Sequence, residues 1–173
     1  VQTIRQQNPG TLLVDAGDTL HGMPEINISQ GKNMAVLLDA LGYDLMVPGN
    51  HDYNYGSARL QELARGMHCT VLSANTIDRR TKQPLFAPSK IIVRDGVRIA
   101  FFGITTPETA NKTSPRNVKD IIFTDAIAAA REQVSVLRPQ ADLLIGIMHV
   151  GLDKSSVVTS DALARAVPGI DVI

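Results

Sequence analysis

Gly49-Asn50-His51-Asp52 places an amide, an imidazole and a carboxylate side by side, directly after the apolar run Leu45-Met46-Val47. A second run, Leu12-Leu13-Val14, leads into Asp15-Ala16-Gly17-Asp18, and a third, Leu143 to Met148, leads into His149-Val150-Gly151. Each time an apolar strand delivers Asp, Asn or His to its carboxyl end. Oxygen and imidazole donors converging from several strand ends are what a hard or borderline divalent cation requires. Within this set Asp18 supplies a charged oxygen, Asn50 a neutral one and His149 a nitrogen. The glycines at 17 and 49 leave room for sharp turns close to an ion. His51 has a different role, as a hydrogen-bond donor to a phosphate oxygen or a departing alkoxide.

The elements that must position these groups alternate between strand and helix, a rhythm that predicts a layered α/β fold. Strands are expected at 11–16, 44–47, 70–73 and 142–148, with the first fully buried. Helices are expected at 31–41, stopped by Gly42, and at 56–66, 124–137 and 157–166, the last two ended by Pro139 and Pro168. The first of these carries apolar residues at Met34, Val36, Leu37, Leu38 and Leu41. Asp95-Gly96 between two β-rich runs predicts a tight hairpin, and with it a mixed sheet. The stretches 76–90 and 105–120, rich in Thr, Asn, Lys and Pro, read as surface loops.

The bulk numbers narrow the class further. In 173 residues, 44% hydrophobic and 20% charged, seventeen basic side chains balance seventeen acidic ones. This is ordinary globular composition, enough chain for one domain with a real core, and it disfavours disorder and membrane spanning. With no global positive field, a small phosphorylated substrate suits the chain better than a nucleic-acid polymer. The single cysteine, Cys69, excludes an internal disulfide or a cysteine metal cluster.

Asp15-Ala16-Gly17-Asp18-Thr19-Leu20-His21-Gly22 and Gly49-Asn50-His51-Asp52-Tyr53-Asn54-Tyr55-Gly56 resemble two signature motifs of the calcineurin-like metallophosphoesterases, in the branch of 5'-nucleotidases and 2',3'-cyclic-nucleotide phosphodiesterases. Met148-His149-Val150-Gly151 resembles that family's single-histidine metal motif. Ser73-Ala74-Asn75-Thr76 and Gly103 to Glu108 are similar to its intervening segments. The resemblance implies an αββα sandwich of mixed sheets flanked by helices. It also implies two divalent metal ions of a kind left open among Zn, Mn, Fe, Co, Mg and Ca. Asp18 would bridge them, Asn50 and His149 would ligate the second, and Asn50 and His51 would contact substrate, His51 as the catalytic group. The reaction implied is hydrolysis of a nucleotide phosphate ester by a metal-activated water.

The family's Asp-x-His and Gly-His-x-His motifs do not occur in these residues. Residues 1–173 are therefore expected to be one catalytic domain truncated at both ends, with a C-terminal nucleoside-binding domain belonging to the full-length chain. A periplasmic, cell-wall or secreted location is implied by the resemblance alone. Asn54 stands where many 5'-nucleotidases of the family carry an Asp that orients the histidine, so 2',3'-cyclic-nucleotide 2'-phosphodiesterase and 3'-nucleotidase activity stays open beside 5'-nucleotidase activity. A catalytically degenerate binding domain is the alternative of another class. Duller roles are also weighed: Asp18 as a turn cap, Asn50 and His51 as caps of the helix near Ser57, His149 as a core-edge histidine, His21 as a solvated loop residue and His68 as structural.

Overall fold

The computed structural model describes all of residues 1–173, in four layers. A parallel sheet joins β1 (Val14–Asp15), β2 (Leu45–Met46) and β3 (Thr70–Val71) in that order. A mixed sheet joins β5 (Ser89–Arg94), β6 (Val97–Thr105) and β8 (Leu143–His149), with β5 antiparallel and β8 parallel to β6. A small antiparallel pair, β4 (Thr76–Asp78) and β7 (Ile121–Phe123), lies beside them. Helices α3 (Lys32–Leu41) and α4 (Ser57–Gly66) cover the first sheet, and α7 (Ala126–Leu137) and α8 (Ser160–Ala166) cover the second. Four shorter helices complete the set: α1 (Gln2–Gln7), α2 (Pro24–Ile28), α5 (Thr109–Lys112) and α6 (Pro115–Val118).

Strand alternation sorts the core into three zones. On β6, Ala100, Phe102 and Ile104 face α7 and α8, while Phe101 faces the other sheet together with Leu45, Val47, Leu72 and Ile147. On β2, Met46 turns outward to α3 and α4, where it meets Leu38, Leu60 and Leu63. The result is the helix, sheet, sheet, helix order expected from the sequence. The two sheets come closest at Gly103, where a Cβ would lie 2.7 Å from the carbonyl carbon of Leu72. The Ala74 N–H donates to the Gly103 carbonyl at 2.8 Å, tying one sheet to the other.

Local chemistry explains the element ends. Helix α7 starts because the Asp125 carboxylate accepts the Ala128 N–H at 2.7 Å, and it buries Ala126, Ala129, Ala130, Gln133 and Leu137 on one face. Gly42 ends α3 in the left-handed conformation, with the Tyr43 N–H bonded back to Leu38. Asp95 and Gly96 both have positive φ, as the two-residue hairpin demands. Pro139 does not stop the chain dead after α7; a 3-10 turn over Arg138–Gln140 follows.

Several expectations need correction. The first strand is only two residues long and Val14 is exposed, because it sits at the edge of its sheet. On α3 only Ala35 and Leu38 are buried; Val36, Leu37 and Leu41 face solvent, since one narrow face meets the sheet. Residues 76–90 and 105–120 are not simple surface loops. They contain β4, the start of β5, α5 and α6, and they bury Thr76, Thr109, Thr113 and Val118. No helix is long and apolar enough to cross a membrane.

Phe102 is fully buried between β6 and α7. Phe102→Ala is expected to cost about 3–5 kcal/mol in urea denaturation of the full-length protein. At the sheet edge Asp142 accepts from the backbone N–H, Nε and Nη2 of Arg98, and these bonds hold its carboxyl down at about 2. Because the folded value lies below the unfolded value of about 3.9, the pair's stabilisation is present above that value and fades as pH falls toward 2. Acid unfolding of Asp142→Asn against the parent should therefore show a difference at neutral pH that vanishes across this window.

Candidate metal and phosphate site

The carboxyl ends of β1, β2 and β8 meet, and three short loops there carry the candidate residues. After β1, Asp15 accepts the Gly17 N–H at 2.8 Å and the Thr19 hydroxyl, turning the chain sharply. Gly17 and Asp18 both adopt positive φ. A Cβ at Gly17 would lie 2.6 Å from the Val47 carbonyl oxygen, so only glycine lets the two loops approach this closely. Asp tolerates the left-handed region better than most residues, which suits Asp18 to its place.

One buried carboxylate registers the loops against each other. Asp52, 2% exposed, accepts the N–H of Asp18 at 2.8 Å, of Leu20 at 2.7 Å and of Gly49 at 2.8 Å. Burial pushes its carboxyl up to about 6 against the pull of these three donors, so it remains an anion at neutral pH. Sequence reasoning named Asp52 only as part of its motif. Its inward role leaves no compositional mark.

With the loops fixed, Asp18 and His149 come together, with the backbone of the Asn50-His51 loop against them. Asp18 Oδ1 accepts the His51 N–H at 2.8 Å, and Oδ2 lies 3.3 Å from His149 Nε2. His149 Nδ1 is 2.7 Å from the Ala16 carbonyl oxygen, an acceptor, so Nδ1 carries a hydrogen and Nε2 faces the Asp18 carboxylate. Burial raises the Asp18 carboxyl, but hydrogen bonds from His149 and from the His51 amide outweigh it and leave the group below its usual value. The Asp18 carboxylate in turn raises His149, against desolvation. Asn50 is 8% exposed at the start of the 3-10 turn His51–Tyr53. Beneath it the Thr105 hydroxyl donates to the Pro48 carbonyl at 2.9 Å, and Asn75 bonds both the Thr105 N–H and its carbonyl. Those two buried residues were another omission of the sequence reading.

The capping role does not hold for Asn50 or His51. Helix α4 has Gly56 at its N-cap with no side-chain cap bond, so neither Asn50 nor His51 caps it. His21 is less solitary than expected: its ring stacks on His51, with centroids 5.7 Å apart and planes 13° apart, and sits 5.4 Å from Tyr55. His68 is an exposed partner of Asp39. Cys69 is buried, which pushes its thiol up to about 11 and makes it inert. A groove of about 340 Å³ lined by Gln61, His68, Cys69 and Phe86 contains none of the candidate ligands.

The donor set fits a divalent cation. A carboxylate oxygen and an imidazole lone pair, two acceptors, face each other with only a proton or a cation able to reconcile them. The backbone makes space for it: a Cβ at Gly49 would collide with Asp18 Oδ1 and lie 2.7 Å from His149 Cε1. The bond from His149 Nδ1 to a carbonyl is the outer support that metal-bound histidines use. No three His, Cys, Asp or Glu side chains cluster here.

Comparison with known proteins agrees with this geometry. No family model matches the chain. The chain is 33% identical over 177 residues to a probable 5'-nucleotidase of Treponema pallidum, an alignment covering the whole chain and 29% of that relative. It superposes on the calcineurin-like phosphoesterase YfkN of Bacillus subtilis with a TM-score of 0.84 at 26% identity, over 99% of this chain and 59% of the other. The chain belongs to the calcineurin-like metallophosphoesterases. It also superposes on the Haemophilus influenzae NAD nucleotidase NadN with a TM-score of 0.82 and 27% identity, over 99% of this chain and 30% of that one. The chain thus spans under a third of the curated relative's length. Metallophosphoesterases of this type are in general dinuclear metal enzymes.

Replacing Asp52 by Asn leaves at least one of the three N–H groups facing an amide nitrogen. The substitution should cost about 2 kcal/mol in urea denaturation and weaken metal binding roughly 10-fold to 100-fold in calorimetric titration of the full-length protein. Unchanged affinity would remove Asp52 from its role in site assembly.

Proposed function

We propose that this chain is the catalytic domain of a nucleotide phosphohydrolase, cleaving the phosphate ester of 5'-nucleotides. The observation that carries the proposal is the meeting of Asp18 and His149 at strand ends of two different sheets, with the loop that bears Asn50 and His51 against Asp18. In this reading Asp18 bridges two divalent cations, Asn50 and His149 hold the second, and the remaining ligands come from the Asp-x-His and Gly-His-x-His motifs of the full-length protein. Cations bound there would supply Lewis-acid polarisation of the phosphoryl oxygens and an activated water. The chain's own contribution is placement. The buried Asp52 bonds fix Asp18 and Gly49, the Ala16 carbonyl fixes the His149 ring, and His51 donates a hydrogen bond to a phosphoryl or leaving oxygen.

A second reading rests on Asn54. An amide at this position cannot stabilise a charged imidazole as a carboxylate does, and Asn54-Tyr55-Gly56 resembles the branch acting on 2',3'-cyclic and 3'-nucleotides. The full-length protein is proposed to carry a C-terminal nucleoside-binding domain and to act in the periplasm, in the cell wall or outside the cell.

The test is phosphate release by the full-length protein from 5'-, 3'- and 2',3'-cyclic nucleotides, with bound metal measured in parallel. His51→Ala should lower turnover by about 10²–10⁴-fold with metal retained, whereas Asn50→Ala and His149→Ala should lose metal and turnover together. Undiminished turnover in any of the three would overturn the assignment, and metal binding without turnover of any ester in the parent would favour a binding domain.

A further inference from the structure

His51 is held by a side chain whose own orientation is set from a distant part of the chain. Asn54 follows His51 by three residues, one turn of 3-10 helix, and so stands over it. Its Nδ2 lies 3.0 Å from His51 Nδ1. Its Oδ1 is 2.7 Å from the hydroxyl of Thr113, a buried residue at the end of α5. Its backbone carbonyl accepts from Asn117 Nδ2 at 2.7 Å, from α6. Segment 113–117 therefore grips Asn54 at two points, 59 and 63 residues along the chain.

The two ends of the amide set the directions: Nδ2, which only donates, faces the ring, and Oδ1, which only accepts, faces the Thr113 hydroxyl. The Thr113 hydroxyl thus donates to the Asn54 oxygen, and the amide N–H donates to the ring. A ring nitrogen that accepts must keep its lone pair there, so the neutral imidazole carries its hydrogen on Nε2. The stacked His21 ring covers one face of His51 and opposes the rotation that would exchange the two nitrogens. A carboxylate at position 54 would do the opposite: it would accept from Nδ1–H and leave the lone pair on Nε2.

We propose that Asn54, oriented by Thr113, is a positioning residue that holds His51 as the Nε2–H tautomer, a neutral hydrogen-bond donor to the phosphoryl or leaving oxygen of a phosphate ester. The inference deepens the phosphohydrolase reading and rests on it for its use, but the tautomer itself is measured without turnover. It also assigns a task to residues 105–120: the helices there set the orientation of a site residue through one hydroxyl.

The experiment is nitrogen NMR on histidine-labelled, full-length, metal-loaded protein, with the His51 signal assigned by its loss in His51→Gln. The pH is held well above the ordinary histidine value of about 6.5. The parent should show a protonated Nε2 and a bare Nδ1, and Asn54→Asp should reverse the two. Thr113→Val should give mixed tautomers and a fall in kcat of roughly 10-fold, with KM little changed, while Thr113→Ser should restore both. A parent ring protonated on Nδ1, or a Thr113→Val protein with the parent's tautomer and kcat, would overturn the proposal. An Nε2–H signal in a protein that turns over no phosphate ester would sustain the positioning and sink the phosphohydrolase reading instead.

Discussion

The site depends on one anion that never touches solvent. Asp52 collects three backbone N–H groups from two loops that are more than thirty residues apart in sequence. An unpaired buried carboxylate would be strongly unfavourable, and three charge-assisted bonds are what make it tolerable. The same bonds leave the Asp18 and Gly49 backbones little freedom relative to each other. Ligand geometry is therefore set before any ligand arrives, by a group that points away from the ligand.

Around that anchor the two sheets divide the work. The parallel sheet presents Asp18 and Asn50, and the mixed sheet presents His149. Bonds that cross between them close the arrangement: His149 to Ala16, Thr105 to Pro48, and Ala74 to Gly103. The helices are more remote. They bury the outer faces of the sheets, and the segment of α5 and α6 bonds to Asn54 beside His51.

Much of this was legible in the residues. Apolar runs ending in Asp, Asn or His gave the strand ends that meet, and Asp95-Gly96 gave the hairpin, because both signals are local. Element lengths were not legible in the same way. Apolar residue type marks the helix but not the width of its contact, and Val36, Leu37 and Leu41 lie outside. Polar composition misled in the opposite direction at 76–90 and 105–120, where Thr76, Thr105 and Thr109 are buried with their hydroxyls hydrogen-bonded. The stacking of His21 on His51 depends on a loop trajectory that no spacing rule encodes.

Gly103 has a bearing on the site that its distance from the ligands conceals. Its missing side chain lets the two sheets touch at Leu72, and the candidate ligands are split between those same sheets. The separation between Asp18 and His149 is thus partly a property of sheet spacing, fixed in the core. A packed interior is stiff and transmits displacement. A wedge of one methyl group at position 103 would reach that pair as a change in separation, so a residue with no polar atom beyond its backbone acts as its gauge.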